Sequence, residues 1–180
     1  MELDQESLQK MAASADGQEI SILALRNAVL FPGTVMPLVV GRKKTMDLLS
    51  NLSGREEVIG VLTQKDRSVD DPTGPDLFQI GSIARTLKVV REGGGGSHII
   101  VQGLQRFEIV EFTQTEPYLK ARVRLLDEPV GDEVEVQAMT RTLREAATEL
   151  VSLLPEAPSG AADLLERTGP PTHLAYLLIS

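Results

Sequence analysis

Residues 23–42, LALRNAVLFPGTVMPLVVGR, decide how the rest of the chain is read. Two apolar runs flank Phe31-Pro32-Gly33, and Gly41-Arg42 follows the second run. Proline fixes φ near about −65° and glycine tolerates positive φ, so Pro-Gly between apolar runs marks a turn joining two strands. The first strand extends back over Glu19–Leu25, where β-branched residues alternate with others. The second covers Val35–Val40 and contains Pro37, which cannot donate to a ladder and therefore belongs at a sheet edge or a bulge. Gly41 then releases the chain into a helix over 43–52. Met46, Leu48, Leu49 and Leu52 form its inward stripe, and Asn51, Ser53 and Gly54 stop it.

Outward from this stretch the period-2 pattern recurs. Val58–Thr63 is a short apolar run of the kind that makes a buried strand, and 64–75 is an acidic loop broken by Pro72, Gly74 and Pro75. Over 80–90, Ile83, Leu87 and Val89 stand against Arg85 and Lys88. The glycines at 93–96 lie between that strand and another over 98–102, as a flexible hairpin tip does, and 107–112 continues the sheet. The alternation is cleanest over 118–125, with Leu119, Ala121, Val123 and Leu125 inward and Tyr118, Lys120, Arg122 and Arg124 outward.

After Pro129 and Gly131 the period changes to about 3.5. Val136, Met139, Leu143, Ala146, Leu150 and Leu153 predict one apolar seam on a helix capped by Asp132, with Glu135 as its capping-box partner, and ended by Pro155 and Pro158. A short helix over 161–167 closes at Gly169-Pro170-Pro171, and Thr172 caps a last one over 173–179. That helix is apolar through Leu174, Leu177, Leu178 and Ile179, and so short a helix is marginal in water. The expectation is a chain that continues beyond Ser180; docking of these residues on the preceding seam is the alternative. The layout is α+β: a loose lead-in over 1–18, a β-rich part with one helix over 19–128, and a helical part over 129–180.

Composition narrows the function classes. The 180 residues carry a net charge of −8, and a chain this acidic repels nucleic-acid phosphates unless its basic residues are segregated. No apolar run approaches the ~20 residues that cross a bilayer, and the polar N-terminus has no signal-peptide pattern. The absence of cysteine excludes disulfides, thiolate metal sites and a thiol nucleophile. A cytoplasmic address is the simplest expectation.

Chemistry-bearing patterns are sparse. The tetraglycine lacks the following Lys and Ser/Thr of a phosphate loop. His98 and His173, the only histidines, fall in parts expected to be separate, and neither a Gly-x-Ser-x-Gly elbow nor a His-based metal spacing occurs. Asp70-Asp71 and Glu56-Glu57 read as solvated pairs, and Lys120, Arg122 and Arg124 as a basic strand face or a nucleic-acid contact. Leu30, Phe31 and Met36 surround the Pro-Gly turn, either plugging the core or forming an exposed apolar patch that binds a partner. Lys43, Lys44 and Asp47 lie on the outer face of the helix beside it.

Four stretches, in order, carry a resemblance: 23–42, VLTQKD at 61–66, DLFQIGSIA at 76–84 and VQGLQRF at 101–107. Together they resemble the N-terminal domain of the Lon family of ATP-dependent proteases. One departure is Leu23-Ala24-Leu25-Arg26, where the family usually reads Leu-Pro-Leu-Arg. The likeness covers about 20–126 well and the helical remainder loosely. It implies a small twisted, barrel-like PUA-like β-subdomain with one helix, followed by an α-helical subdomain. It also implies a non-catalytic role: capture of unfolded or damaged protein substrates and support of a hexameric assembly. The ATPase, with its ATP and Mg, and the Ser-Lys protease would lie on other modules of the parent protein, so this chain needs no cofactor of its own. For such a role the apolar turn and the helix face beside it supply the expected substrate contacts: Leu30, Phe31, Met36, Lys43, Lys44 and Asp47. An RNA-binding PUA-like module and a stand-alone Lon-like adaptor are the competing readings, with acidity and scarce aromatics against the first.

Overall fold

The computed structural model describes residues 4–52, 58–91, 97–128, 133–154 and 160–180. The expected glycine tip at 93–96, the Asp132 cap, the helix stops at Ser53-Gly54 and at Pro155 and Pro158, and Glu56-Glu57 lie outside the described residues. The chain divides into two compact units, Met1–Asp127 and Glu128–Ser180.

The first unit starts with α1 (Gln5–Ala13), whose first turn is closed by Ser7 N–H donating to the Asp4 carboxylate at 2.8 Å. From Asp4 on, the lead-in is therefore packed, where a loose segment was expected. Ala12 and Ala15 are buried among Ile20, Phe107 and Val123, and Gly17 N–H donates to the Val123 carbonyl. Then follow β1 (Glu19–Leu25), β2 (Val35–Val40), α2 (Lys43–Asn51), β3 (Val58–Thr63), a single 3-10 turn at Gly74–Asp76, β4 (Ile80–Arg91), β5 (Ser97–Gln114) and β6 (Leu119–Leu125). The two segments expected at 98–102 and 107–112 are one continuous strand, β5.

Among the described residues six strands form one sheet in the order β2-β5-β4-β3-β1-β6, and β6 pairs with β5 as well. Only β1 and β3 run parallel. The long β5 carries β4 along one edge. Its other edge is shared: β2 lies along Ser97 to Gln102 and β6 along Phe107 to Gln114. Because β6 also pairs with Glu19 to Ile22 of β1, five strands close into a ring at that end. At the other end, among the described residues, β2 pairs with β5 alone, and the second half of β1 has no strand on that side. The expected barrel is thus half closed, with a seam between β1 and β2.

The Phe31-Pro32-Gly33 turn fastens the start of β2 to β5. Gly33 takes φ +78°, donates to the Gly103 carbonyl at 2.9 Å, and receives no side-chain strain there. Gly103 is needed for the approach: a β-carbon there would sit 2.2 Å from the Phe31 carbonyl oxygen. Leu30, 3% exposed, and Pro32 enter the core, and the buried Ser82 hydroxyl donates to the Leu30 carbonyl at 2.6 Å. Leu30 packs with Leu23, Leu38, Val40, Leu48 of α2 and Ile99 at the seam end, while Ile22, Ile83, Phe107 and Val123 fill the closed end. Each such side chain stabilises the fold by about 1.5–3 kcal/mol.

The second unit comprises α3 (Glu133–Leu153), α4 (Ala161–Arg167) and α5 (Pro171–Ile179). Proline at the first position of α5 loses no hydrogen bond, so that helix begins at Pro171, with Pro170 rather than Thr172 before it. The expected seam of α3 is not the packed face. Met139 is 64% exposed, and Leu143, Leu150 and Leu153 are exposed too, whereas Ala147 is buried with Leu165 and Leu174, and Val151 packs beside them. The reason is polar. Arg144 forks onto the carbonyls of Leu165, Glu166 and Thr168 at the end of α4, which fixes the Arg144 and Ala147 side of α3 against that helix.

Candidate functional site

Helix α2 begins with three cations, Arg42, Lys43 and Lys44. Positive charge at a helix N-terminus opposes the helix dipole, so the arrangement requires anions from elsewhere. Two loops supply them. Lys44 Nζ lies 3.0 Å from Asp71 Oδ1 and 3.0 Å from Glu116 Oε1, with only 18% of its side chain exposed. Burial pulls the Lys44 ammonium down, but its bonds to Glu116 and Asp71 outweigh this and hold it above the ordinary lysine value. Arg26 pairs with Asp70 at 2.7 Å.

Arg42 is the centre of the arrangement. Its Nη2 donates to Gln64 Oε1 at 2.6 Å and its Nη1 reaches the Ala24 carbonyl at 3.5 Å. Gln64 is buried, and its amide donates to the carbonyls of Val69 and Asp66. Desolvation, then repulsion from Arg26, lowers the Arg42 pKa from its ordinary value, with Asp70 and Asp71 opposing both.

Two clefts meet at Arg42. One, of about 430 Å³, runs along the seam between residues 23–28 and 36–42 and has Leu23, Met36 and Leu38 among its apolar walls. The other, of about 340 Å³, is charged, lined by Lys43, Lys44, Asp47, Asp70, Asp71 and Glu116. An apolar trough continuing into a rim of both signs can hold a flexible ligand.

Of the expected contacts, Met36 lines the apolar cleft, and Lys43, Lys44 and Asp47 line the charged one. Phe31 is half-buried at the turn. Leu30 is no surface residue: the turn plugs the core with it, because its carbonyl is held by Ser82 from inside. Arg42, Gln64, Asp70, Asp71 and Glu116 were absent from the expected set. Asp70 and Asp71 are solvent-exposed, as expected, and each also pairs with a cation, Arg26 and Lys44 respectively. Glycine followed by arginine ahead of a lysine-led helix was the one sequence signal for the missed cluster.

Other candidates carry less. His98 lies on β5 and His173 on α5, in different units. Among the described residues no group of three or more histidine, aspartate or glutamate side chains is arranged to hold a metal. Asp4, Glu19, Asp66 and Asp76 sit below the ordinary carboxylate range through hydrogen bonds from Ser7, Thr113, Ser68 and Thr73, opposite to the upward shift a general acid needs. The basic row of β6 is neutralised: Lys120 pairs with Glu19 at 3.3 Å, Arg122 with Glu111 at 2.5 Å, and Arg124 with Glu108. No described helix is long and apolar enough to cross a membrane.

A family model described as the ATP-dependent protease La (LON) substrate-binding domain matches residues 19–180. The chain belongs to this family. It is 44% identical over 160 residues to the Lon protease of Anaeromyxobacter dehalogenans, a match covering 88% of this chain and 19% of that protein. Lon protease 2 of Myxococcus xanthus is 43% identical over 162 residues, covering 89% and 20%. The chain thus spans about one-fifth of the length of the curated relatives it matches, the share that corresponds to the Lon substrate-binding domain. Its fold is that of solved Lon N-terminal domains. The domain from the Mycobacterium avium complex superposes with a TM-score of 0.66 at 21% identity, covering 88% of this chain and 80% of that one. The domain from Xanthomonas campestris gives 0.51 at 18%, covering 90% and 98%.

Proposed function

We propose that this Lon domain captures unfolded or damaged polypeptides at the paired clefts around Arg42. The observation that supports the reading is the junction itself, an apolar trough beside a rim that offers both charges to side chains of any kind. Unfolded chains expose apolar side chains, and about 300 Å² of such surface at ~25 cal/mol/Å² gives a gross ~7 kcal/mol. Association costs of about 4–15 kcal/mol consume most of it, so one copy binds in the high micromolar range or more weakly. Several copies on one assembly raise avidity by ~10²–10⁴ without new contacts. Weak capture suits a receptor that must hand its cargo on.

In this reading the parent protein is a cytoplasmic, hexameric, ATP-dependent serine protease, and the domain supports its assembly. ATP and Mg are used by other modules.

Titration of the 180-residue chain with unfolded casein and with RNA, each at two salt concentrations, tests the proposal. Weak casein binding that falls at least threefold when Lys43 is changed to Glu is expected. Tight RNA binding with a steep salt dependence overturns it. The pairing of Lys120, Arg122 and Arg124 with carboxylates argues against that outcome.

A further inference from the structure

The seam cleft is bounded on both sides by strand main chain, and its polar groups are ordered. Gly103 N–H donates to the Thr34 carbonyl at 3.0 Å, and the same register places Met36 opposite Val101 and Leu38 opposite Ile99. In an antiparallel ladder alternate residues bond to the neighbouring strand, and those between turn their N–H and C=O to the opposite edge. Met36, Leu38 and Val40 therefore bond to β5, while Val35, Pro37 and Val39 turn their main chain away from it, Pro37 and Val39 at the wall of the cleft. Pro37 sits where its missing N–H costs no ladder bond.

Across the cleft, the Leu25 carbonyl accepts from Gln64 N–H at 2.8 Å on the β3 side. The main-chain groups of Ala24 consequently point the other way, and the Arg42 guanidinium occupies the Ala24 carbonyl. A side chain stands at the acceptor a neighbouring strand would use. Among the described residues no strand takes that place: β6 leaves β1 after Ile22.

Two facing strand edges, apolar walls and a removable side-chain plug specify an occupant by chemistry. Only an extended backbone presents alternating N–H and C=O groups at the ~3.3 Å rise both edges require. We propose that the β1–β2 seam is a strand-addition site: it takes an extended segment of an unfolded polypeptide, and Arg42 leaves the Ala24 carbonyl as the segment inserts. This rests on the capture reading above and states how the captured chain is held. Main-chain bonds are indifferent to sequence, which a receptor for damaged proteins requires. Folded proteins are refused because their strands are already paired. Pro37 limits the bonds β2 can give and blunts pairing of this edge with a second copy.

The probe is a fluorescein-labelled octapeptide of alternating threonine and valine, followed by anisotropy against the 180-residue chain. It is compared with the same peptide N-methylated at every second amide. Methylation is expected to weaken binding at least tenfold, because it removes the donors to one edge and keeps the side chains. Val39→Pro is expected to weaken the unmethylated peptide by a similar factor while amide-exchange protection of Ile99 and Val101 persists. Should that variant fail to fold, the methylation comparison on the unaltered chain decides. Equal affinity for the two peptides overturns strand addition and leaves capture by side chains standing, as does casein binding with no binding of either peptide. Loss of casein binding as well removes both readings.

Discussion

Arg42 and Gln64, 22 positions apart, are joined by a hydrogen bond of 2.6 Å that ties the start of α2 to the acidic loop after β3. Gln64 is buried and holds two loop carbonyls with its amide, so a single side chain organises both walls of the charged cleft. Gln64→Ala leaves the guanidinium and the carbonyls of Asp66 and Val69 without these partners. A loss of about 1.5–3 kcal/mol is expected, the range for a bond to a charged group together with desolvated acceptors left behind. Urea unfolding measures it, and a change below about 0.5 kcal/mol contradicts the role.

The crossing of the Phe31-Pro32-Gly33 turn over Gly103 sets a second expectation. In Gly103→Ala the new methyl meets backbone at 2.2 Å, and backbone cannot swing aside as a side chain tip does. The cost lies at or above the top of the ~1–3 kcal/mol range for overpacking. Gly41→Ala is the control: nothing lies within 4 Å of its built β-carbon, and thermal unfolding is expected to be nearly unchanged.

Acid acts on the 3-10 turn at Gly74–Asp76. The Asp76 carboxylate accepts from both the backbone N–H and the hydroxyl of Thr73, at 2.8 Å each, which lowers its pKa from the ordinary 3.8. A group with a depressed folded pKa stabilises fully above its unfolded value, and the contribution fades as pH falls through the folded value. Carboxyl-carbon NMR should therefore show Asp76 titrating below 3.8, and Thr73→Val, which removes the hydroxyl donor alone, should raise that midpoint partway. A midpoint that does not move shows the hydroxyl to be idle.

In the helical unit, Arg144→Lys keeps the charge and loses the fork. A lysine ammonium cannot serve the carbonyls of Leu165, Glu166 and Thr168 together. Hydrogen–deuterium exchange should accelerate at least tenfold in α4 and α5 and stay unchanged in β3 and β4. Uniform acceleration across both units points instead to a general loss of stability.

The strands were legible from the chain because their cause is local. Alternation over Glu19–Leu25 and Leu119–Leu125, the apolar run of Val58–Thr63 and the proline within Val35–Val40 each set an element or its edge position from adjacent residues. The helix period after residue 133 was legible too, but not the face it would bury. An apolar stripe predicts burial only if nothing stronger orients the helix, and the carbonyls at the end of α4 drew Arg144 inward instead. Lys43 and Lys44 were readable as a charged surface; the partners of Lys44, Asp71 and Glu116, arrive from distant loops, and no local pattern announces that meeting.

Adjacent residues were enough to set most of the strands and helices, to put Pro37 at an edge or a bulge, and to carry four ordered stretches that resemble the Lon family. Tertiary structure alone decided that the sheet closes at one end and stays open at the other. Closure depends on register between segments about a hundred residues apart, where β6 meets both β1 and β5 but stops pairing with β1 at Ile22. Local propensity is blind to that distance. The seam, and Arg42 lying across it, exist only once the chain has folded back on itself.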